Sequence, residues 1–259
     1  MSYEFIRYEK KGRTVWITIN RPEVMNSLHP MANRELSQAF DAYAADGEAW
    51  VAVVTGAGEK AFSAGNDLKY SAQHGMGAVE LPPGGFGGIT ARFDLFKPVI
   101  AAVNGLALGG GFEIALACDI IVAAEHARFG LPEPRVGLTA LAGGMHRLPA
   151  QVPLKLAMGM MLTGRQISAA EAQRLGLVNE VVPAAQLAEA AERWANEILE
   201  CSPTSVRITK RRAMQGLFQP LPDAINADIP ESVDLFRSED MMEGIMAFAQ
   251  KRKPDWKGK

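Results

Sequence analysis

The stretch from Pro98 to Ala123 constrains the fold more than any other part of the chain. Residues 98–103 are apolar and β-branched and read as a strand, and residues 120–123 read as another. Between them Gly109-Gly110-Gly111 opens a short apolar helix that reaches Cys118. Two strands flanking a helix in so few residues leave no room for independent layers, so the elements must wind on one another as α/β structure. The same alternation occurs earlier. Thr14-Val15-Trp16-Ile17-Thr18-Ile19 alternates β-branched and aromatic residues and runs into the turn Asn20-Arg21-Pro22. A helix is expected from Pro30, with Leu36, Phe40 and Tyr43 at helical spacing and a stop at Asp46-Gly47. Val51-Ala52-Val53-Val54 then reads as a strand buried on both faces, ending at Thr55-Gly56-Ala57-Gly58.

Residues 71–88, with LPPGGFGG inside, form the one long irregular stretch and predict a lid-like loop. Ser168 and Glu171 have the spacing of a capping box, and Gly176 supplies the matching stop after Leu175. From about residue 183 strand signals vanish. Leu187, Ala191, Trp194 and Ile198, then Ile245, Phe248 and Ala249, mark amphipathic helices. The expected organisation is therefore an α/β body over residues 1–195 and a helical C-terminal region over residues 196–259 that packs on the body or on another subunit.

Of the 259 residues, 48% are hydrophobic and 22% charged, enough for a large core. Lys and Arg total 27 against 29 Asp and Glu, so the net charge of −2 offers no general attraction to nucleic acid or to an anionic membrane. Lys210-Arg211-Arg212 is short enough to be a solvated helix face. Cys118 and Cys201 are too few for a disulfide framework or a structural zinc site, and no apolar run reaches membrane-spanning length. A cytoplasmic setting is expected.

Thr55-Gly56-Ala57-Gly58 with Ala61 matches the letters of a G-x-G-x-x-A dinucleotide fingerprint, but no long helix opens there and no acidic residue closes a second strand. There is no phosphate-binding G-x-x-x-x-G-K-[ST], no G-x-S-x-G, and no metal-ligand spacing among His29, His74, His126 and His146. No metal site and no cofactor are expected. The triple glycine is more informative. Bare N–H groups at a helix start, aided by the helix dipole, suit a carbonyl oxygen that gains negative charge, and so would the N–H of residue 66 in Ala61-Phe62-Ser63-Ala64-Gly65-Asn66-Asp67-Leu68. Two such donors on one oxygen form an oxyanion hole, each lowering a barrier by on the order of 3 kcal/mol. Glu113 in FEIALACDI and Glu133 between Pro132 and Pro134 are lone acids in apolar settings, where desolvation raises a carboxyl pKa. A lone glutamate is more often a surface or ion-paired acid; a pair beside a carbonyl site suits acid-base chemistry near neutral pH.

The segments ITINRPEVMNSL (17–28), AFSAGNDLK (61–69), KPVIAAVNGLALGGGFEIALACDIIVAAEHARFGLPE (97–133), LTGRQISAAEAQRLGLVNEVVP (162–183) and FAQKRKPDWKG (248–258) together resemble the crotonase (enoyl-CoA hydratase/isomerase) superfamily over nearly the whole chain. The resemblance implies a spiral of repeated ββα units with a helical C-terminal region for oligomerisation, usually as a homotrimer or a dimer of trimers. It also implies an acyl-CoA thioester as substrate, with no metal or redox cofactor. By motif position Asn66 and Gly110 would supply the oxyanion-hole N–H groups. Ala64, Asp67, Leu68 and Lys69 would contact substrate with them. As in family hydratases, Glu113 would activate water for attack at Cβ and Glu133 would protonate Cα. Leu141 departs from the pattern, since hydratases place a small residue there beside the reacting water. The implied reaction is syn hydration of a trans-2-enoyl-CoA to a 3-hydroxyacyl-CoA. Double-bond isomerisation, dehydration of a hydroxyacyl-CoA such as carnitinyl-CoA, or non-catalytic thioester binding are the alternatives.

Overall fold

The computed structural model describes residues 3–75, 81–227 and 230–259. Its frame is a six-stranded sheet. A hairpin of β1 (Ile6–Lys11) and β2 (Thr14–Ile19) is antiparallel, and β3 (Val51–Gly56), β5 (Val99–Val103), β7 (Ile120–Ala124) and β10 (Glu180–Val182) add to it in parallel, in that order. Each of β3, β5 and β7 is followed by a three-residue strand, β4 (Ala61–Ser63), β6 (Leu106–Leu108) or β8 (Arg128–Gly130). These pair in parallel as a second sheet, closed by antiparallel β9 (Gln166–Ser168). Every turn of the chain thus adds one strand to each sheet, and α3 (Gly110–Ala117) follows the pair β5 and β6 as the ββα spiral requires.

Strand alternation explains why the runs are apolar throughout. Ala52, Val54, Val99, Ala101 and Val103 face the main core with Leu36, Phe40 and Tyr43 of α1 (Pro30–Ala45). Their neighbours Val51, Val53, Ile100 and Ala102 face the other way, onto Leu187, Ala190, Ala191 and Ala195 of α7 (Leu187–Leu199). A half-exposed sheet would have shown polar residues at every second position. The division expected at residue 195 falls inside α7, whose small-residue face is seated on β3, β5 and β7. The chain leaves the sheet only after it, through α8 (Pro203–Gly216) and the short helices beyond.

The helical reading of the C-terminal quarter holds: α9 (Leu221–Asn226), α10 (Pro230–Leu235) and α11 (Glu239–Ala249) complete it. Asp240 of α11, 1% exposed, accepts from Ser202 Oγ at 3.1 Å and from the N–H groups of Lys257 and Gly258 at 2.7 and 3.1 Å, so the DWKG ending is pinned across it. The irregular stretch begins later than its sequence suggests. Residues from Ser71 onward continue α2 (Leu68–His74), which Asp67 caps by accepting from the Tyr70 N–H at 3.1 Å. Of the predicted lid, residues 76–80 lie outside the described residues. Ser168 Oγ accepts from Glu171 N–H at 3.2 Å to cap α6 (Ala169–Arg174), as the capping-box spacing predicts. Among the described residues no helix is long and apolar enough to cross a membrane, and no cluster of His, Cys, Asp and Glu could hold a metal ion.

Candidate active site

Two buried asparagines shape the approach to the site. Asn26 Nδ2 donates to Ala57 O and Ala61 O at 3.0 and 2.7 Å, and Asn104 donates to Gly58 O and Ala61 O at 2.7 and 3.1 Å while accepting from Gly56 N–H at 3.0 Å. The Gly56 to Gly58 turn is therefore filled by protein side chains. The turn runs into β4, and Gly56 N–H, Ala57 O and Gly58 O already have side-chain partners.

Beyond β4 the main chain of residues 63–67 is used almost completely. Ala64 N–H donates to Met25 O at 3.0 Å and Gly65 N–H to Ser63 Oγ at 3.1 Å. Leu28 then forms a parallel bridge with Asn66, donating to Gly65 O at 2.8 Å and accepting from Asp67 N–H at 3.0 Å. In a parallel bridge the residue between the two bonded partners turns its own N–H to the opposite side. Asn66 N–H therefore faces away from Leu28, and it meets no acceptor among the described residues.

Gly110 N–H is the second such donor. As the first residue of α3 it has no partner within the helix, and none elsewhere among the described residues. The two segments touch: a methyl group on Gly65, at φ +87°, would sit 2.8 Å from both Gly110 N and Leu108 O. A methyl on Gly110 would collide with the ring of Phe86, and one on Gly111 with Ser63 O. Gly65 and Gly111 are required because backbone passes backbone there, and Gly110 because the Phe86 ring is packed against it.

Both acids converge on the same place. Glu113, 3% exposed, accepts from Gly144 N–H, the first of α4 (Gly144–Gln151), at 2.8 Å through Oε1. Burial is the largest influence on its pKa, raising it from 4.5 to about 7. The Gly144 N–H opposes that rise, Glu133 adds to it, and the Ala142 N–H and the Arg147 charge oppose it. Glu133 opens the 3-10 turn Glu133–Val136, and its Oε1 lies 3.1 Å from where a Gly109 methyl would be. Its Oε2 is buried without a hydrogen-bond partner, and burial holds its pKa above the ordinary carboxylate value.

Of the other expected contact residues, Ala64 is half-buried, while Leu68 and Lys69 are exposed on the first turn of α2. Asp67 differs: its carboxylate is buried against Arg21 Nη1 at 3.0 Å and caps α2, so it is committed to the protein. Leu141, expected beside the reacting water, is 81% exposed, and so its side chain cannot be wedged between the buried carboxylates. Sequence reasoning missed Asn26, Asn104, Phe86 and Arg147. The one available signal was Gly143-Gly144 shortly before Arg147, a second glycine pair at a helix start.

A two-sheet ββα spiral carrying two unpaired N–H groups beside two buried carboxylates has the architecture of the crotonase fold. The chain belongs to the enoyl-CoA hydratase/isomerase family, whose model matches residues 9–259. It is 40% identical over 262 residues to the carnitinyl-CoA dehydratase of Salmonella arizonae, covering 98% of this chain and 99% of that protein. The Salmonella typhi protein of the same name is also 40% identical, over 263 residues and 99% of each chain. Among solved structures, an enoyl-CoA hydratase from Mycobacterium tuberculosis H37Rv superposes with a TM-score of 0.92 at 39% identity, covering 98% of this chain and 99% of that one. One from Mycobacterium marinum gives 0.92 at 40% identity with the same coverage.

Proposed function

We propose that the protein is an enoyl-CoA hydratase that adds water syn across the double bond of a trans-2-enoyl-CoA to give a 3-hydroxyacyl-CoA. The observation that carries this reading is the unequal support of the two buried acids. Glu113 accepts N–H hydrogen bonds, which favour its ionised form, whereas Glu133 has a buried oxygen with no partner, which favours keeping a proton. The hydration step assigns the pair's single proton to Glu133. Glu113 then draws a proton from water as it attacks Cβ, and Glu133 delivers one to Cα. The thioester oxygen, negative as the enolate forms, receives the N–H groups of Asn66 and Gly110. Leu141 stands out at the surface, so its side chain does not compete with water for the region between the acids.

The test follows the absorbance of the conjugated thioester with crotonyl-CoA and longer enoyl-CoAs. Loss of absorbance with a product heavier by one water is expected. No loss at any chain length would sink the proposal, and a product of unchanged mass would make the protein an isomerase. A second reading, dehydration of a specialised hydroxyacyl-CoA such as carnitinyl-CoA, is favoured by the names of the relatives at 40% identity. It uses the same acids in reverse, and the same assay run from that substrate separates the two by relative kcat/KM.

The C-terminal helices support an oligomer. Met214, Leu217, Phe218, Leu221, Ile225 and Phe236 are all more than half exposed, Phe218 at 79%, too much apolar surface in one region for an isolated chain. Light scattering is expected to give a trimer or a dimer of trimers; a mass of 27.9 kDa would contradict it.

A further inference from the structure

Arg147 lies in the first turn of α4 and has no part in the chemistry above. Its half-buried guanidinium folds back over Gly143, where any side chain would collide with Nη1, and Nη2 donates to the carbonyl of buried Thr90 at 2.9 Å. Its own N–H donates to Gly143 O at 2.8 Å, and the Phe93 ring centre lies 5.9 Å from the guanidinium carbon. The next residue along, Gly144, gives the N–H that holds Glu113 Oε1. A turn built from two glycines, with Gly143 at φ +102°, has little stiffness of its own, so the clamp to Thr90 decides where that N–H points.

We propose that Arg147 is a positioning residue for the reaction: by tying the Gly143-Gly144 turn to Thr90 it fixes the N–H group that orients the Glu113 carboxylate. Its charge acts in the same direction. Glu113 is faced by the Gly144 and Ala142 N–H groups and the Arg147 charge, all favouring ionisation, and by Glu133, which opposes it. Arg147 also faces the half-buried thiol of Cys118, whose pKa desolvation pushes up, so no second anion competes for it there.

The inference rests on Glu113 being the base, and the test reads Glu113 with and without turnover. In protein labelled with 13C at glutamate carboxyls, the Glu113 resonance is identified by its loss in Glu113→Gln and titrated in wild type, Arg147→Gln and Arg147→Lys. Kinetic constants on crotonyl-CoA are measured beside it. In Arg147→Gln the Glu113 midpoint is expected to rise by about half a pH unit or more, through the lost charge and the loosened N–H. Its kcat should fall about tenfold or more while KM stays within about threefold, since the loss is felt mainly in the transition state. Arg147→Lys keeps a charge but not the planar fork, so the midpoint should return toward wild type while kcat stays low. A folded Arg147→Gln protein that loses only thermal stability, with midpoint and kcat unmoved, would overturn the proposal. If the Gln variant does not fold, an unchanged kcat in Arg147→Lys would do so. A wild-type protein without turnover whose Glu113 midpoint still depends on Arg147 would remove the hydratase reading and support this one.

Discussion

Replacing Glu113 by Gln is expected to lower kcat for hydration by about 10²- to 10⁴-fold, the usual worth of a general base, with KM little changed. The amide keeps the volume and can still accept from Gly144 N–H, so the cradle survives while the proton acceptor is lost. In the wild-type protein kcat/KM should rise with pH through about 7, because Glu113 acts only when ionised. The Gln variant should lose the rising limb. Stability should move the other way. A carboxyl whose pKa is raised in the folded state costs nothing below its ordinary value of 4.5. As pH climbs from there to about 7 the unfolded chain ionises first, and the folded state loses up to about 3 kcal/mol. Glu113→Gln is therefore expected to melt higher than wild type at pH 8 and nearly alike at pH 4. A normal rate, or a variant less stable at both pH values, would remove Glu113 from the role of strained catalytic base.

Gly65→Ala should be nearly as damaging, for a different reason. The new methyl would stand 2.8 Å from Gly110 N and Leu108 O, forcing apart the two segments that carry the free N–H groups. Loss of one oxyanion donor costs about 10² to 10³ in kcat, and displacement at this contact affects both. The left-handed φ of +87° adds about 1 to 2 kcal/mol of backbone strain. Gly176→Ala is the control, because Gly176 has φ +77° with nothing within 4 Å of an added methyl. It should carry comparable backbone strain without the clash and keep its rate. If both alanine variants lost stability equally and Gly65→Ala retained full kcat, the contact at Gly65 would have no catalytic meaning.

The sequence was most readable where burial acts on whole elements. The run at residues 51–54 is apolar at every position because both sheet faces are covered, and that pattern survives without any knowledge of the partners. Glu113 was legible for the same reason, a carboxyl among Phe112, Ile114 and Leu116 having nowhere to be solvated. The second sheet was not, because β4, β6, β8 and β9 are three residues long and no periodicity can be read from so few. Strand β1 was hidden by its exposed, charged residues. The turn of α2 was masked by the irregular sequence after it, although Asp67 before Leu68 was an available start signal. Asn26, Asn104 and Arg147 act through contacts with residues 31 to 57 positions away, which no local pattern encodes.

The bridge between Leu28 and Asn66 has a consequence for how such a protein can change over generations. On the proposed reading the reactive group at position 66 is main chain, so it is inherited through the path of the backbone and not through the identity of the residue. Any amino acid except proline carries the same N–H there. A substitution at residue 66 would give up the Asn66 Nδ2 bond to Ser71 Oγ at 3.0 Å while leaving the main-chain donor in place, whereas its neighbour Gly65 has no such freedom. Freedom and constraint thus sit one residue apart, the first in a side chain and the second in the path of the backbone.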